Sequence, residues 1–296
     1  TTQDAFARTR IWDDAVEAIL INDDSKHSYF SITANVSQLY KAILPDTAAS
    51  EFSQIQALLE KLAQKIRLEV PENDSQVMEE IGDILDDSIT AGEFVIKSNR
   101  GLIDLSKLDF AALQAQFATG YQNTKAENLK VTIKFKLQEM VQQNKTRINY
   151  LEKFQKLIDE YNMGSQNIEW FFNQLVNFAR DLKTEDKRAI SENLSEEELA
   201  IFDLLTKPEI ELSQAEKKQV KQVARELLTT LKKEKLVLDW RKRQQTKAGV
   251  EVAIKDILDK LPETYSMELY EQKCQEVFQH IYESYHGKER SIYDAN

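Results

Sequence analysis

Two short triplets of the form Glu-x-Lys are the residues of this chain whose types and spacing resemble part of a nuclease site. They lie at positions 185–187 and 216–218. The helical pattern places both triplets on loops or at the beginnings of helices, not on strands. Three-residue matches also arise often by chance in a chain that is 30% charged. A free-standing nuclease or hydrolase is therefore an alternative function, not the leading one.

Other catalytic motifs find less support. The Gly287-Lys288 pair is followed by Glu289, so a phosphate-binding loop ending in Gly-Lys-Ser/Thr is not formed. Spacing typical of metal ligands is missing among the three histidines, His27, His280 and His286. Cys274 lies on an apolar helical stripe, where a buried, unreactive thiol is expected. We predict no catalytic residue, no metal ligand and no cofactor site in this chain.

A cluster of positive charge, LDWRKRQQTKAGV at 238–250, stands out in a chain whose net charge is −11. Residues 232–247 hold seven basic and two acidic side chains, a net charge of +5. Such a cluster can face internal carboxylates, another subunit or phosphate groups. The candidate contact residues for DNA or a partner are Trp240, Arg241, Lys242, Arg243, Lys247, Lys232, Lys233 and Lys235. A second basic strip on a long helix consists of Lys130, Lys134, Lys136, Lys145 and Arg147.

The helix expected over 240–261 determines which of these side chains can reach a partner. At 100° per residue, Arg243 falls roughly 20° from Val250 on the buried stripe. Arg241 points the opposite way, into solvent. Trp240, Arg243 and Lys247 then form a ridge along a packing seam. An internal acid paired with Arg243 would favour a purely structural scaffold, and an unpaired, exposed ridge would favour a partner.

The elements that carry these residues are mainly α-helical. The chain has only seven glycines and four prolines, and its apolar residues recur at helical spacing. Helices are expected as a pair over 4–44, then over 50–68, 74–90 and 125–162, with at most one short β-hairpin near residues 93–105. Two capping boxes, Ser195 with Glu198 and Ser213 with Glu216, mark later helix starts, and two earlier ones are expected at Ser106 with Asp109 and Thr124 with Glu127.

The length of the chain and the helix-breaking residues Met163-Gly164-Ser165 predict two helical subdomains, residues 1–162 and 163–296. One cysteine permits no internal disulfide, and the apolar runs are too short to span a bilayer. We therefore expect a cytoplasmic protein without membrane contact. The start at Thr1, without methionine, suggests a fragment of a longer polypeptide.

Four stretches of the sequence resemble a known family. LDWRKRQQTKAGV and EELAIFDLL in the tail are the most distinctive, and YFSITANVSQLYKAILPD and GLIDLSKLDF extend the likeness upstream. They are similar to the carboxy-terminal region of the motor subunit, the R subunit, of type I restriction enzymes. The resemblance implies a helical domain following the motor at 1–162 and an assembly domain at 163–296.

The same resemblance implies partners and cofactors. The R subunit pulls DNA past a bound methyltransferase–specificity complex with ATP and then cuts it. ATP and magnesium are expected in the motor and nuclease domains, which this chain lacks. The expected partners are the methyltransferase and specificity subunits and duplex DNA, contacted through phosphates without sequence preference. No catalytic residue carries over, because no catalytic motif of the family is matched.

Overall fold

A computed structural model describes residues 2–70, 109–208, 210–287 and 290–293. The predicted fold class is confirmed, because the protein is mainly α-helical. The described residues form twelve α-helices and one two-stranded sheet. None of the described helices is both long and apolar enough to cross a membrane. The chain divides into two compact units that interleave along the sequence.

The first unit comprises the described parts of residues 1–136 together with residues 153–181. Its elements are α1 (Thr2–Ile19), α2 (Asp23–Ile43), the 3₁₀ turn Thr47–Phe52, α3 (Ser53–Glu69), α4 (Phe110–Ala118) and parts of α5 (Gln122–Gln143), α6 (Ile148–Asn162) and α7 (Ile168–Asp186). A small core of Val16, Leu20, Ile66, Val70 and Val131 holds α1, α3 and α5 together.

A carboxylate at the start of α5 stabilises that helix in the first unit. The carboxylate of Glu17 accepts hydrogen bonds from the backbone amides of Asn123 (2.6 Å) and Thr124 (3.0 Å), in the first turn of α5. Negative charge is stabilised at that end of a helix by free amides and the macrodipole. The capping box expected at Thr124 is wrong, because the helix already begins at Gln122.

The second unit comprises residues 137–152 and the described parts of 182–296. Its elements are the 3₁₀ turn Lys145–Arg147, α8 (Arg188–Ser191), α9 (Glu196–Thr206), α10 (Gln214–Thr230), the π turn Leu231–Lys235, α11 (Gln244–Leu258), α12 (Met267–Ser284), β1 (Tyr285–Gly287) and β2 (Arg290–Ser291). The capping boxes at Ser195 and Ser213 are confirmed. Trp240, Val250 and Ile281 are fully buried in one large apolar core between these helices.

Two long helices differ from their predicted bounds. The helix expected over 125–162 is interrupted at Asn144, whose side chain accepts a hydrogen bond from the Thr146 amide at 3.1 Å and donates one to Asp203 at 2.8 Å. The helix expected over 240–261 covers only Gln244–Leu258. At Asn144 a local side-chain bond replaces the helical hydrogen bond, and before Gln244 the left-handed Asp239 delays the helix, while the apolar periodicity continues through both places.

The predicted β-hairpin near 93–105 and the helix over 74–90 lie outside the described residues. So does Ser106, although Asp109 itself caps α4 by accepting from the Ala111 and Ala112 amides. The observed hairpin, Tyr285–Gly287 with Arg290–Ser291, was not predicted. The boundary between domains 1–162 and 163–296 stays a prediction, and the compact units assign 137–152 to the second unit and 163–181 to the first.

Candidate interaction surface around Trp240

The basic segment 232–247 is a connection between two helices, not the start of a long helix. After α10 the chain passes through a π turn and then reverses at Asp239, whose φ of +57° is left-handed. The Trp240 amide donates to the Val237 carbonyl at 3.2 Å, and the Lys242 amide donates to the Asp239 carbonyl at 3.0 Å. Asp tolerates this conformation better than most residues. The connection is thereby a closed, hydrogen-bonded turn.

Trp240 anchors this turn in the core. Its side chain has no exposed surface. The indole Nε1 donates to the Tyr285 carbonyl at 3.1 Å, and the ring meets Tyr282 edge to face at 5.8 Å. A buried indole needs such an acceptor for its N–H group. Trp240 is therefore a structural anchor and has no surface to offer a partner.

Arg241 lies beside the anchor and is half-buried, which corrects the prediction that it points into solvent. Its Nε donates to the same Tyr285 carbonyl at 3.1 Å, and its guanidinium lies 4.9 Å from the centre of the Tyr282 ring. Burial lowers the pKa of Arg241, and the charge of Glu283 opposes this shift. The prediction failed because Arg241 belongs to the turn, whose direction helical spacing does not describe.

Arg243 is the exposed member of the predicted ridge. It occupies the N-cap position of α11, with extended backbone, and makes no ion pair with any described residue. Lys247 follows on α11 and lies over Phe278 (5.6 Å) and Tyr282 (5.2 Å). Arg243 therefore meets the condition set for a partner-facing residue, whereas Lys247 is partly engaged with the aromatic surface of α12.

The remaining cations of the segment differ in their exposure and in whether they form ion pairs. Lys232 pairs with Glu197 and lies over the Tyr285 ring at 5.7 Å. Lys242 pairs with Asp239 at 3.0 Å, with both side chains well exposed. Lys233 is exposed and Lys235 is half-buried, and neither forms an ion pair within the described part of the chain. The accessible positive charge is thus carried by Lys233, Lys242 and Arg243.

The second basic strip is largely occupied by internal acids. Lys130 pairs with Asp23 and with Glu127 (2.6 Å), and these charges outweigh burial and raise its pKa. Burial and the neighbouring charge of Lys130 lower the pKa of Lys134. Two further members of the strip also have partners. Lys145 pairs with Glu283, and Lys136 is not free either. The strip consequently offers little free positive charge.

Arg147, the last member of that strip, is the centre of a buried ionic network that the sequence did not reveal. Only 1% of it is exposed. Its Nε donates to Glu185 at 3.0 Å, and a terminal nitrogen pairs with Glu196. Burial opposes the charged form, but the two carboxylates outweigh it and raise the pKa of Arg147. This residue stabilises the fold of the second unit.

The same network extends through Arg188 to Asp203. Arg188 pairs with Glu185 at 2.9 Å and with Asp203, whose side chain is almost fully buried. Asp203 also accepts from Asn144 (2.8 Å) and Lys207 (3.2 Å). Paired and hydrogen-bonded in this way, buried carboxylates can remain charged. The network connects the 3₁₀ turn at 145–147 with α8 and α9.

The two Glu-x-Lys triplets have structural roles in this arrangement. Glu185 belongs to the buried network, near the end of α7. Glu216 closes the capping box of α10 with Ser213 and accepts from the Thr264 hydroxyl group. Among the described residues, no group of three or more acids, histidines or cysteines is placed to hold a metal ion. Both carboxylates are thus accounted for by folding.

Cys274 and His280 both lie on α12. Cys274 is buried, as its apolar stripe indicated. His280 is buried too, and its Nε2 lies 3.1 Å from the Tyr293 hydroxyl, which donates to the Gln143 carbonyl at 2.6 Å. Burial lowers the pKa of His280 to about 4, and the charge of Lys145 adds to this effect. The imidazole is therefore neutral at pH 7.

The sequence of this chain is similar to those of known proteins. Residues 1–286 match the family described as Type I restriction enzyme HindI endonuclease subunit-like, C-terminal. The chain is also 28% identical over 112 residues to a candidate type I restriction enzyme MjaIXP endonuclease subunit of Methanocaldococcus jannaschii. That alignment covers 38% of this chain and 11% of the relative. No solved structure gives a significant match.

Proposed function

Because this chain belongs to the C-terminal family of type I restriction enzyme endonuclease subunits, we propose that it is a non-catalytic assembly module of such a subunit. In this proposal it docks the ATP-driven translocase and endonuclease onto the methyltransferase–specificity complex. ATP and magnesium then act in parts of the subunit outside this chain. The aligned segment spans about 11% of the archaeal relative, so a subunit of that size has ample room for them.

The observation that carries this proposal is the pre-formed basic surface of the second unit. Trp240 is fully buried beneath the segment, while Arg243 is exposed and has no acidic partner among the described residues. An exposed arginine without an internal partner is free to pair with a partner's carboxylate through its planar guanidinium. An internal acid paired with Arg243 would favour a purely structural scaffold, and no described residue provides one, in contrast to Arg147 with Glu185.

Duplex DNA is the second proposed partner of the same surface. Lys233, Lys242 and Arg243 are exposed, and a cation of this kind binds phosphate without reading the bases. The contact would be independent of sequence and sensitive to salt. The rest of the chain, which is acidic in net charge, would be repelled by DNA.

The docking role is tested by deletion in the full endonuclease subunit. Residues 187–296 lie in the second unit, so their removal eliminates most of it. We expect the truncated subunit to lose association with the methyltransferase–specificity complex in analytical ultracentrifugation. Circular dichroism and ATPase activity of the truncated subunit serve as folding controls. Association at full affinity would overturn the proposal.

The DNA role is tested by reversing charge at Lys233, Lys242 and Arg243 together. In the full subunit, each lost phosphate contact should reduce the slope of log K against log salt concentration by about 0.9. The matched control reverses three exposed lysines elsewhere in the second unit, Lys217, Lys218 and Lys255. An unchanged slope for the first variant, or an equal change for both, would remove DNA contact by this segment.

A further inference from the structure

The turn that carries the basic residues also presents apolar side chains to solvent. Leu238 is 77% exposed and Val237 is 43% exposed. Both lie between the π turn and α11, next to the buried Trp240. Single exposed apolar residues are common on protein surfaces, so exposure alone assigns no role to Leu238. The conformation of the turn and its charges provide the further evidence.

The turn fixes the backbone on both sides of Leu238, whose side chain is exposed. On one side, the Leu236 amide donates to the Leu231 carbonyl at 2.9 Å; on the other, the Thr246 hydroxyl donates to the Trp240 carbonyl at 2.7 Å. The left-handed Asp239 and the buried Trp240 fix the residues in between. An apolar residue whose backbone is already ordered loses less conformational entropy on binding than one on a flexible loop. Leu238 thus has the properties of an anchor residue.

The charges beside Leu238 distinguish between two kinds of partner. Lys242 and Arg243 supply positive charge, but Asp239, the residue directly after Leu238, is a carboxylate whose side chain is 50% exposed. This carboxylate pairs with Lys242 at 3.0 Å and partly neutralises it, which weakens the attraction of the tip for a phosphate backbone. A protein surface can accommodate charges of both signs, because it can place carboxylates beside Lys242 and Arg243 and a hydrogen-bond donor beside Asp239. An apolar centre with a polar, charged rim is also the usual composition of protein interfaces.

We propose that Val237 and Leu238 insert into an apolar hollow on a partner protein whose rim is acidic, with Lys242 and Arg243 pairing with that rim. The inference rests on the proposed docking function and identifies the contact that carries it. Leu238 is the anchor, and the cations beside it set the orientation. The net positive charge of 232–247 would be complementary to an acidic rim, and such complementarity accelerates association.

The test compares Leu238→Ser with Ile190→Ser in the full endonuclease subunit. Ile190 is 78% exposed and also lies in the second unit, so it matches Leu238 in exposure and chemistry. Affinity for the methyltransferase–specificity complex and for a duplex DNA without a recognition site is measured for both variants. We expect Leu238→Ser to weaken protein association at least tenfold and to leave DNA affinity within twofold. Ile190→Ser should change neither affinity.

Three other outcomes would overturn the inference. Equal protein affinity for Leu238→Ser and the unmodified subunit would remove the anchor, and an equal loss in both variants would make the effect non-specific. A loss of DNA affinity alone would reassign Leu238 to a DNA groove. If deletion of 187–296 also leaves association intact, the proposed function fails; if that deletion abolishes association while Leu238→Ser does not, only the anchor fails.

Discussion

The indole Nε1 of Trp240 donates a hydrogen bond to the backbone carbonyl of Tyr285 at 3.1 Å, and both side chains are buried. This bond joins the basic turn before α11 to the start of the C-terminal hairpin. Arg241 donates to the same carbonyl, so one acceptor orders two consecutive residues of the turn. The attachment fixes the turn immediately before Lys242 and Arg243, the exposed cations that follow Trp240.

Replacing Trp240 with phenylalanine should weaken this attachment without removing the aromatic ring. We expect the free energy of unfolding to fall by about 2 kcal/mol, because a buried hydrogen bond is lost and a small cavity forms. Urea denaturation followed by circular dichroism measures the change. Trp170→Phe, at a half-buried position in the first unit, is the control and should cost less. Equal effects at both positions would argue against the anchoring role.

Replacing Arg147 with methionine should be more damaging than loss of any surface cation. Glu185 would remain buried with only Arg188 beside it, and we expect a loss of about 3–5 kcal/mol in the free energy of unfolding. The double variant with Glu185→Gln removes the uncompensated charge and should recover part of that loss. A double variant no more stable than Arg147→Met would show that burial of charge is not the cause.

Acid should destabilise the second unit through His280. Its pKa of about 4 in the folded protein lies below the value of 6.5 for a free histidine, so the unfolded chain binds a proton first as pH falls. The stabilisation is complete above pH 6.5 and is lost between pH 6.5 and 4, by about 3 kcal/mol.

The measurement for this prediction is the free energy of unfolding of the protein and of His280→Gln across that pH interval. The difference between the two should shrink as pH falls, because the variant has no imidazole to protonate. His27→Gln, which removes an exposed imidazole, is the control. A difference that does not vary with pH would contradict the assignment of His280 as the titrating group.

Local sequence patterns were sufficient to predict the fold class and the capping boxes at Ser195 and Ser213, because these depend on neighbours three and four residues apart. Ser213 and Glu216 show this most clearly, since the side chain of each accepts a hydrogen bond from the backbone amide of the other. The hairpin at 285–291 could not be found in the same way. Its strands of three and two residues are too short to display alternation.

The exposure of the arginines in the candidate surface was predicted incorrectly. The segment 232–247 was identified from charge alone, and Arg243 was expected at the packing seam with Arg241 in solvent. The structure reverses these two, because a left-handed Asp239 delays the helix to Gln244. The pairing of Arg147 with Glu185 joins residues 38 positions apart, and no local pattern carries that information.

The nuclease alternative makes a prediction that separates it from the assembly module. Glu216→Gln with Lys218→Ala removes the functional groups of the second Glu-x-Lys triplet. We expect the full enzyme with these changes to keep its rate of DNA cleavage, because Glu216 caps α10. The isolated chain with magnesium, ATP and duplex DNA should show neither cleavage nor ATP hydrolysis. Cleavage that depends on Glu216 would favour the alternative.

Arg241 and Arg243 differ by two positions and should respond differently to the same conservative change. Arg241→Lys keeps the charge but loses the Nε bond to Tyr285 and the planar contact with Tyr282, so we expect about 1–2 kcal/mol less stability. Arg243→Lys, at an exposed position, should leave stability unchanged. Neither variant should alter the salt slope of DNA binding, because a point charge satisfies a phosphate. Equal stabilities of the two variants would mean that Arg241 is not held by the aromatic surface of α12. The structural distinction between Arg241 and Arg243 would then fail.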